Sequence, residues 1–360
     1  MRTVRFFLFS LLLAASNTVS NSSAMIFRLA EPDTADGATP GWIVADGEIT
    51  ADSAKSFRNF LTKKNGVGAR AVVLLNSPGG SLFGGVALGE VIREFGLGTR
   101  VGRSIPDPPH QGDYITETEA PGECLSACAF SFLGGKWRVA SDRTLGVHQH
   151  YRDDALREPA AKQFTAGDLS AQQIIAGILA DYVVRMGVDA RFLTKASATE
   201  PRSMYLFTKK ELEEFSINLN DLQFAPWTLE PYNAGLISVS KTQNQETIAT
   251  LFCRSDKSLR LLISRPSRPF FSADKEIENA IKGAIVYLFR KEIPQSDIKG
   301  KIYRNRVTFE FKLPSQIAST AAADDKSGMS ADGSFRQLFY YDLPAKDFGT
   351  IAKLVSRNCI

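Results

Sequence analysis

Histidine is scarce in this chain: His110, His148 and His150 are all that its 360 residues contain. A general base therefore has few candidates. Zinc is a poor reading as well, because the histidines nearest Cys124 and Cys128 would have to serve metal and base at once. Charge of one sign is also missing. The net charge is +4 with no long block, too little and too scattered for a nucleic-acid surface. After the first residues no stretch is long and apolar enough for a membrane helix, which excludes a stable span from the mature chain. Cysteine is sparse but even in number, at four. No repeat is visible in the C-terminal half, and nothing marks a nucleotide pocket, so no cofactor is expected.

The N-terminus carries an address. Met1-Arg-Thr-Val-Arg5 is a positive start, and Phe6 to Ala15 is an apolar run too short to span a bilayer comfortably. Ser22-Ser-Ala24 then supplies small residues of the kind a signal peptidase reads. The pattern predicts a cleaved signal over residues 1–24 and a periplasmic or secreted protein. In that oxidising setting an even cysteine count implies bridges. Cys253 and Cys359 are expected to pair and tie down the C-terminus. Cys124 and Cys128 stand four apart; one regular helix would strain a bridge there, whereas Cys124 placed before the helix would ease it. That pair stays open.

Between residues 25 and 223, short apolar runs alternate with helical patterns. Strands are predicted at Gly41–Ala45, Gly47–Thr50, Ala71–Leu75, Thr99–Gly102, Trp137–Ala140 and Leu145–His148. Helices are predicted from Asp52 or Ser53 to Leu61, from Leu82 to Phe95, over Cys124–Leu133 and over Ser170–Met186. The last shows an apolar face of Ile174, Ile175, Ile178, Leu179, Tyr182, Val183 and Met186. Such alternation predicts an α/β domain with mostly parallel pairing. Arg103–Pro121, rich in Pro, Asp, Gly and Thr, reads as a surface loop able to overhang a site. Residues 224–360 change character: runs at Gly235–Ser240, Thr247–Phe252, Leu259–Ser264 and Val307–Lys312 alternate with a period of two. A smaller, β-rich α+β domain is expected there, with helices at Ala273–Ala284 and Pro344–Val355 and a mobile loop over Ser315–Ser334.

Three segments could carry chemistry together. Asn76-Ser-Pro-Gly-Gly80 follows a buried apolar run, and its glycines can present free N–H groups to an acyl oxygen. Ser126 lies among small residues where a helix could start, adding the N–H of Ala127 and the positive end of the helix dipole. His148 closes the next short strand; His150 shares its strand parity, and His110 lies in the irregular loop. Each segment alone is more often structural: a core serine, a tight turn, a structural histidine. Their company is what points to a serine nucleophile, an oxyanion hole and a base.

Asn-Ser-Pro-Gly-Gly, a helix-borne serine followed by small residues and Phe130, and then Val-His-Gln resemble the proteolytic subunit of Clp proteases. More broadly the order is similar to the Clp/crotonase superfamily, which includes signal peptide peptidase A-type proteases. The likeness spans roughly Val44 to Ile217. It implies a spiral of β-β-α units and a serine peptidase acting on peptide or protein substrates. It also implies Ser126 as nucleophile, His148 as base, and Gly79, Gly80 and Ala127 as oxyanion donors. Laying Met204–Thr208 on the family's late strand brings Glu200 to the position of its aspartate; Asp189, Asp153 and Asp154 are the fallback acids, and a Ser–His dyad is the remaining choice. Self-association is implied too, although the Arg103–Pro121 insertion and the C-terminal extension depart from the family's barrel-shaped assembly. An exported chain would not meet the ATP-driven unfoldase of the cytosol. Two other readings compete: a binding or assembly protein without turnover, and a crotonase-type acyl-CoA enzyme, for which coenzyme A is not expected outside the cytoplasm.

Overall fold

The computed structural model describes residues 23–30, 41–63, 71–106, 116–151, 165–219, 223–267, 272–282, 285–289, 291–304, 306–321, 329–332 and 343–360. The fold is mixed α/β with several sheets. Its N-terminal half runs β1 (Ile26–Leu29), β2 (Ile43–Asp46), α1 (Ser53–Lys63), β3 (Val72–Asn76), α2 (Leu82–Glu94), β4 (Gly98–Val101), β5 (Arg103–Pro106) and β6 (Glu117–Ala120). It continues through β7 (Cys124–Leu125), α3 (Ala127–Leu133), β8 (Arg138–Val139), β9 (Leu145–Val147), α4 (Ala166–Arg185), α5 (Arg191–Ala198), β10 (Tyr205–Leu206) and α6 (Lys209–Glu214).

Strands β2, β3, β4 and β8 pair in parallel, with β1 antiparallel on the outer edge. A second sheet, β10-β9-β7, joins the first through a parallel bridge between Ser77 and Cys124. The side chains of Val73, Leu74 and Leu75 in β3 are all buried, as the unbroken apolar run requires of a strand covered on both faces. Helix α2 starts where Ser81 Oγ accepts the Gly84 N–H. It then crosses α4 so closely that a Cβ on Gly89 would lie 2.0 Å from Tyr182 Oη. That hydroxyl donates to the Phe130 carbonyl at 2.7 Å, tying α4 to α3.

Arg138 is the polar centre of this half. Its side chain is fully buried and donates to the carbonyls of Leu133, Gly135, Met186, Ser216 and Ile217 at 2.7–3.3 Å. These carbonyls belong to the C-terminal ends of α3, α4 and α6 or the residues just beyond them. One guanidinium thus satisfies acceptors that three helix ends leave over. Burial, with Arg93 close by, pulls its pKa down to about 9.

The C-terminal half comprises β11 (Thr228–Tyr232), β12 (Gly235–Lys241), β13 (Ile248–Cys253), β14 (Leu259–Pro266), α7 (Ala273–Ile281), β15 (Ile285–Leu288), β16 (Lys291–Ile293), β17 (Ile298–Tyr303), β18 (Arg306–Lys312), α8 (Ile317–Ala321), β19 (Met329–Asp332) and α9 (Phe348–Arg357). Six strands form an antiparallel sheet ordered β11-β12-β13-β14-β18-β17, and β16-β15-β19 a smaller one. Phe309, Phe311, Phe348 and Val355 fill a core separate from that of the N-terminal half. The expected bridge is present: Cys253 and Cys359 are linked with Cα atoms 4.4 Å apart, fastening the end of the chain to β13.

Several expectations are revised. Arg103–Pro121 is not a bare loop: β5 and β6 form an antiparallel hairpin, held by Glu117 through Ser104 and a bidentate Arg28. Gly47–Thr50 forms isolated bridges rather than a strand. The predicted amphipathic helix exists as α4, but Ile174 is 61% and Ile178 43% exposed; its burial is confined to the last turns, at Tyr182 and Val183. Ser315–Ser334 contains α8 and β19. The predicted leader lies outside the described residues except for Ser23 and Ala24, which pair with Glu48. No helix among the described residues is long and apolar enough to cross a membrane, and the two bridges are compatible with an extracellular protein.

Candidate active site

Three parallel strands lie side by side here: β3 runs on into Ser77, which bridges Cys124 of β7, and β7 pairs with β9. Each hands one candidate segment over at its C-terminal end. Gly79-Gly80 follows β3, Ser126 follows β7 and His148 follows β9. Parallel strands place such ends on one edge, where loops leave the sheet and ligands can enter.

Ser126 is the turn itself. Its φ is 56° and ψ −120°, between extended Leu125 and helical Ala127. These are the angles of the first central residue of a type II′ turn, a place dominated by glycine. A residue with a Cβ held there costs on the order of 1–3 kcal/mol, and such outliers cluster where a side chain is aimed for a purpose. The Ser126 N–H donates to the Gly146 carbonyl at 2.8 Å, and its hydroxyl caps no helix N–H. A strained strand-to-helix turn of this kind lifts a nucleophile above the sheet. The central helix therefore begins three residues later than its sequence pattern indicates, because Cys124 and Leu125 pair with Leu145 and Gly146.

That late start also settles the open cysteine pair. Cys124, before the helix, and Cys128, in its first turn, form a disulfide with Cα atoms 5.1 Å apart. Both are fully buried.

Gly79 and Gly80 take φ values of +109° and +127°, out of easy reach for other residues. A Cβ on Gly79 would sit 2.8 Å from both Ser126 Cβ and the Leu125 carbonyl, so the diglycine turn and the serine turn fit only without a side chain. The Gly79 N–H donates to Ser77 Oγ at 3.1 Å. Among the described residues the N–H groups of Gly80 and Ala127 have no acceptor. The oxyanion set expected from sequence thus divides: Gly80 and Ala127 are free to donate, while Gly79 is engaged by Ser77.

These segments line one cavity of about 910 Å³ together with His148, Gln149, His150 and Tyr151. Phe83, Phe130, Ile175, Leu179 and Leu193 supply its apolar wall, and Glu48 its carboxylate. His148 is half-buried, and burial holds its pKa below the ordinary value, which favours the neutral imidazole. His150 is shifted down as well, by burial and by the neighbouring His148. Ser126 and His148 make no direct hydrogen bond.

Among the described residues no carboxylate is bonded to His148. Glu200 is exposed and does not line the cavity, and His148 Nδ1 is buried with no hydrogen-bond partner among the described residues. Asp189 is taken by Arg191, at 2.8 Å to its N–H and 2.9 Å to its guanidinium. Asp153, Asp154 and His110 lie outside the described residues. No group of three or more metal-ligating side chains occurs among the described residues.

Sequence reading passed over Ser77, Glu48 and the α4 wall. Ser77 carried a signal, standing inside the Asn-Ser-Pro-Gly-Gly stretch. Glu48 and Ile175 carried none, since only the folded chain brings them to Ser126. The described residues of the 103–121 segment do not line the cavity. Compared with known proteins, the chain matches no family model and aligns with no curated sequence.

Proposed function

We propose that this protein is an exported serine hydrolase that cleaves peptide bonds through an acyl-enzyme on Ser126. The observation that carries the reading is the strained strand-to-helix turn at Ser126, inside a cavity shared with His148. In this mechanism Ser126 Oγ attacks the substrate carbonyl while the neutral His148 takes the hydroxyl proton. The oxyanion is held by the Ala127 and Gly80 amides. His148 returns the proton to the leaving amine, and water, activated by the same imidazole, releases the acyl group. The spiral arrangement of β-β-α units and self-association belong to the same proposal.

Among the described residues no carboxylate meets His148 Nδ1, and on those residues the pair works as a dyad. Losing the orienting acid from a triad costs about 10⁴ in kcat, so turnover is expected to be slow. The Nδ1 left unpaired among the described residues and the exposed Glu200 also favour a second reading, a binding or assembly protein in which the site is kept without turnover.

Intact-mass analysis after treatment with a fluorophosphonate separates the two. One adduct on the wild type, absent from Ser126→Ala and slowed in His148→Ala, supports the hydrolase. A folded protein that takes no adduct supports the binding reading.

A further inference from the structure

The Cys124–Cys128 disulfide does more than link two residues four apart in sequence. Cys124 and Leu125 are extended because they pair with Leu145 and Gly146 of β9. Ala127 and Cys128 are helical, at the start of α3. Fully extended, the segment from Cys124 to Cys128 would reach about 13 Å. Its observed Cα separation is 5.1 Å.

Only Ser126 remains to make the reversal. An extended Ser126 would carry Cys124 away from Cys128, toward or past the roughly 7 Å that a disulfide can bridge. A right-handed helical Ser126 would lengthen α3 backwards and turn Leu125 off Gly146, losing the Ser126 N–H bond to the Gly146 carbonyl as well. The positive φ of 56° satisfies strand pairing and bridge together.

We infer that the Cys124–Cys128 bridge is a positioning device that holds Ser126 in its strained turn and thereby aims the hydroxyl into the cavity. The two cysteines are positioning residues; neither lines the cavity. Both are fully buried, so the bridge is closed to small thiols in the native protein and persists once formed. The activity arm of the inference rests on the hydrolase reading above; the backbone arm does not.

The test compares wild type, Cys124→Ser/Cys128→Ser and, as a control, Cys253→Ser/Cys359→Ser. Fluorophosphonate acylation is followed across a range of probe concentrations and pH. The expected result is a roughly tenfold to hundredfold fall in the maximal acylation rate when only the 124–128 bridge is removed, the scale of a small misplacement of a reacting group. The half-saturating concentration and the pH midpoint stay unchanged, because cavity wall and His148 are untouched. The control keeps the wild-type rate. A folded 124/128 variant that acylates at the wild-type rate overturns the inference. If the serine pair does not fold, Cys124→Ala/Cys128→Val restores the lost volume and is measured in its place.

Should wild type itself take no adduct, the hydrolase reading fails while the inference is judged by crystallography of the variant. A Ser126 φ relaxed to a negative value supports the lock. A φ still near 56° without the bridge refutes it.

Discussion

Strands β3 and β9 in the N-terminal half and β13 and β14 in the C-terminal half bury their side chains differently. Val73 to Leu75 and Leu145 to Val147 are buried without alternation, whereas β13 and β14 alternate between buried and half-exposed residues along their length. The first pattern belongs to strands covered on both faces, the second to an antiparallel sheet with one face on the core. The difference extends to chemistry. Parallel strands end together, so β3, β7 and β9 deliver Gly80, Ser126 and His148 to one cavity. Antiparallel neighbours end on opposite sides, and no described residue of the six-stranded sheet lines that cavity. The halves also anchor themselves differently: one gathers helix ends on a buried arginine, the other fastens its last residues with a long-range disulfide.

Replacing that arginine should break the comparison most sharply. Arg138→Met leaves the carbonyls of Gly135, Ser216 and Ile217 without a donor, at about 1–3 kcal/mol each where water cannot follow, while those of Leu133 and Met186 keep Arg93. A loss of about 5 kcal/mol is expected, seen by calorimetry as a lowered N-terminal transition beside an unmoved C-terminal one. Arg138→Lys should recover little, since three donors on a tetrahedral ammonium cannot reach the same five acceptors. A single transition that shifts as a whole would show that the halves unfold as one unit.

The opposite experiment removes the C-terminal bridge. It closes a separation of 106 residues, for which loop entropy gives about 4–5 kcal/mol. Cys253→Ser/Cys359→Ser should lower the C-terminal transition by that amount in chemical denaturation. Loss of Ser126 labelling in the same folded variant would contradict the independence of the two halves.

Gly79→Ala sharpens the contrast at closer range. The new methyl meets the Leu125 carbonyl and Ser126 Cβ at 2.8 Å and must adopt a φ of +109°. The expected penalty is about 1–3 kcal/mol. Ser126 acylation should fall further than this modest loss of stability accounts for, because the clash falls on the Ser126 turn itself. Equal labelling of mutant and wild type would remove Gly79 from the site.

The smallest effect is on pH. The His148 pKa in the folded state lies below the ordinary 6.5, with burial as the main cause. Acylation should be complete at neutral pH and fade as pH falls through that lowered value. Stability follows the same sign: the unfolded chain binds the proton more readily, so the contribution is full above 6.5 and is lost as pH falls through the folded pKa. His148→Asn should flatten this part of the stability profile, and an unchanged profile would assign the acid limb to other groups.

By itself the sequence determined much of the local order. Unbroken apolar runs specified strands buried on both faces, and alternation at Leu259–Ser264 specified an antiparallel strand, because burial pattern follows strand environment directly. Ser126, His148, Gly80 and Ala127 were legible as a set because they stand at the ends of those strands. What needed the tertiary structure was every feature that depends on two distant segments meeting. Local periodicity over Cys124–Leu133 reads as one helix, yet pairing with β9 claims its first two residues and forces the kink at Ser126. Glu200 has the right type and sequence position for an acid, yet its backbone leaves it in solvent. The apolar stripe of α4 looks destined for a core, yet only its last turns find neighbours to cover them. Periodicity states which side chains would gain from burial; which of them are buried is decided by what else the chain brings to the same place.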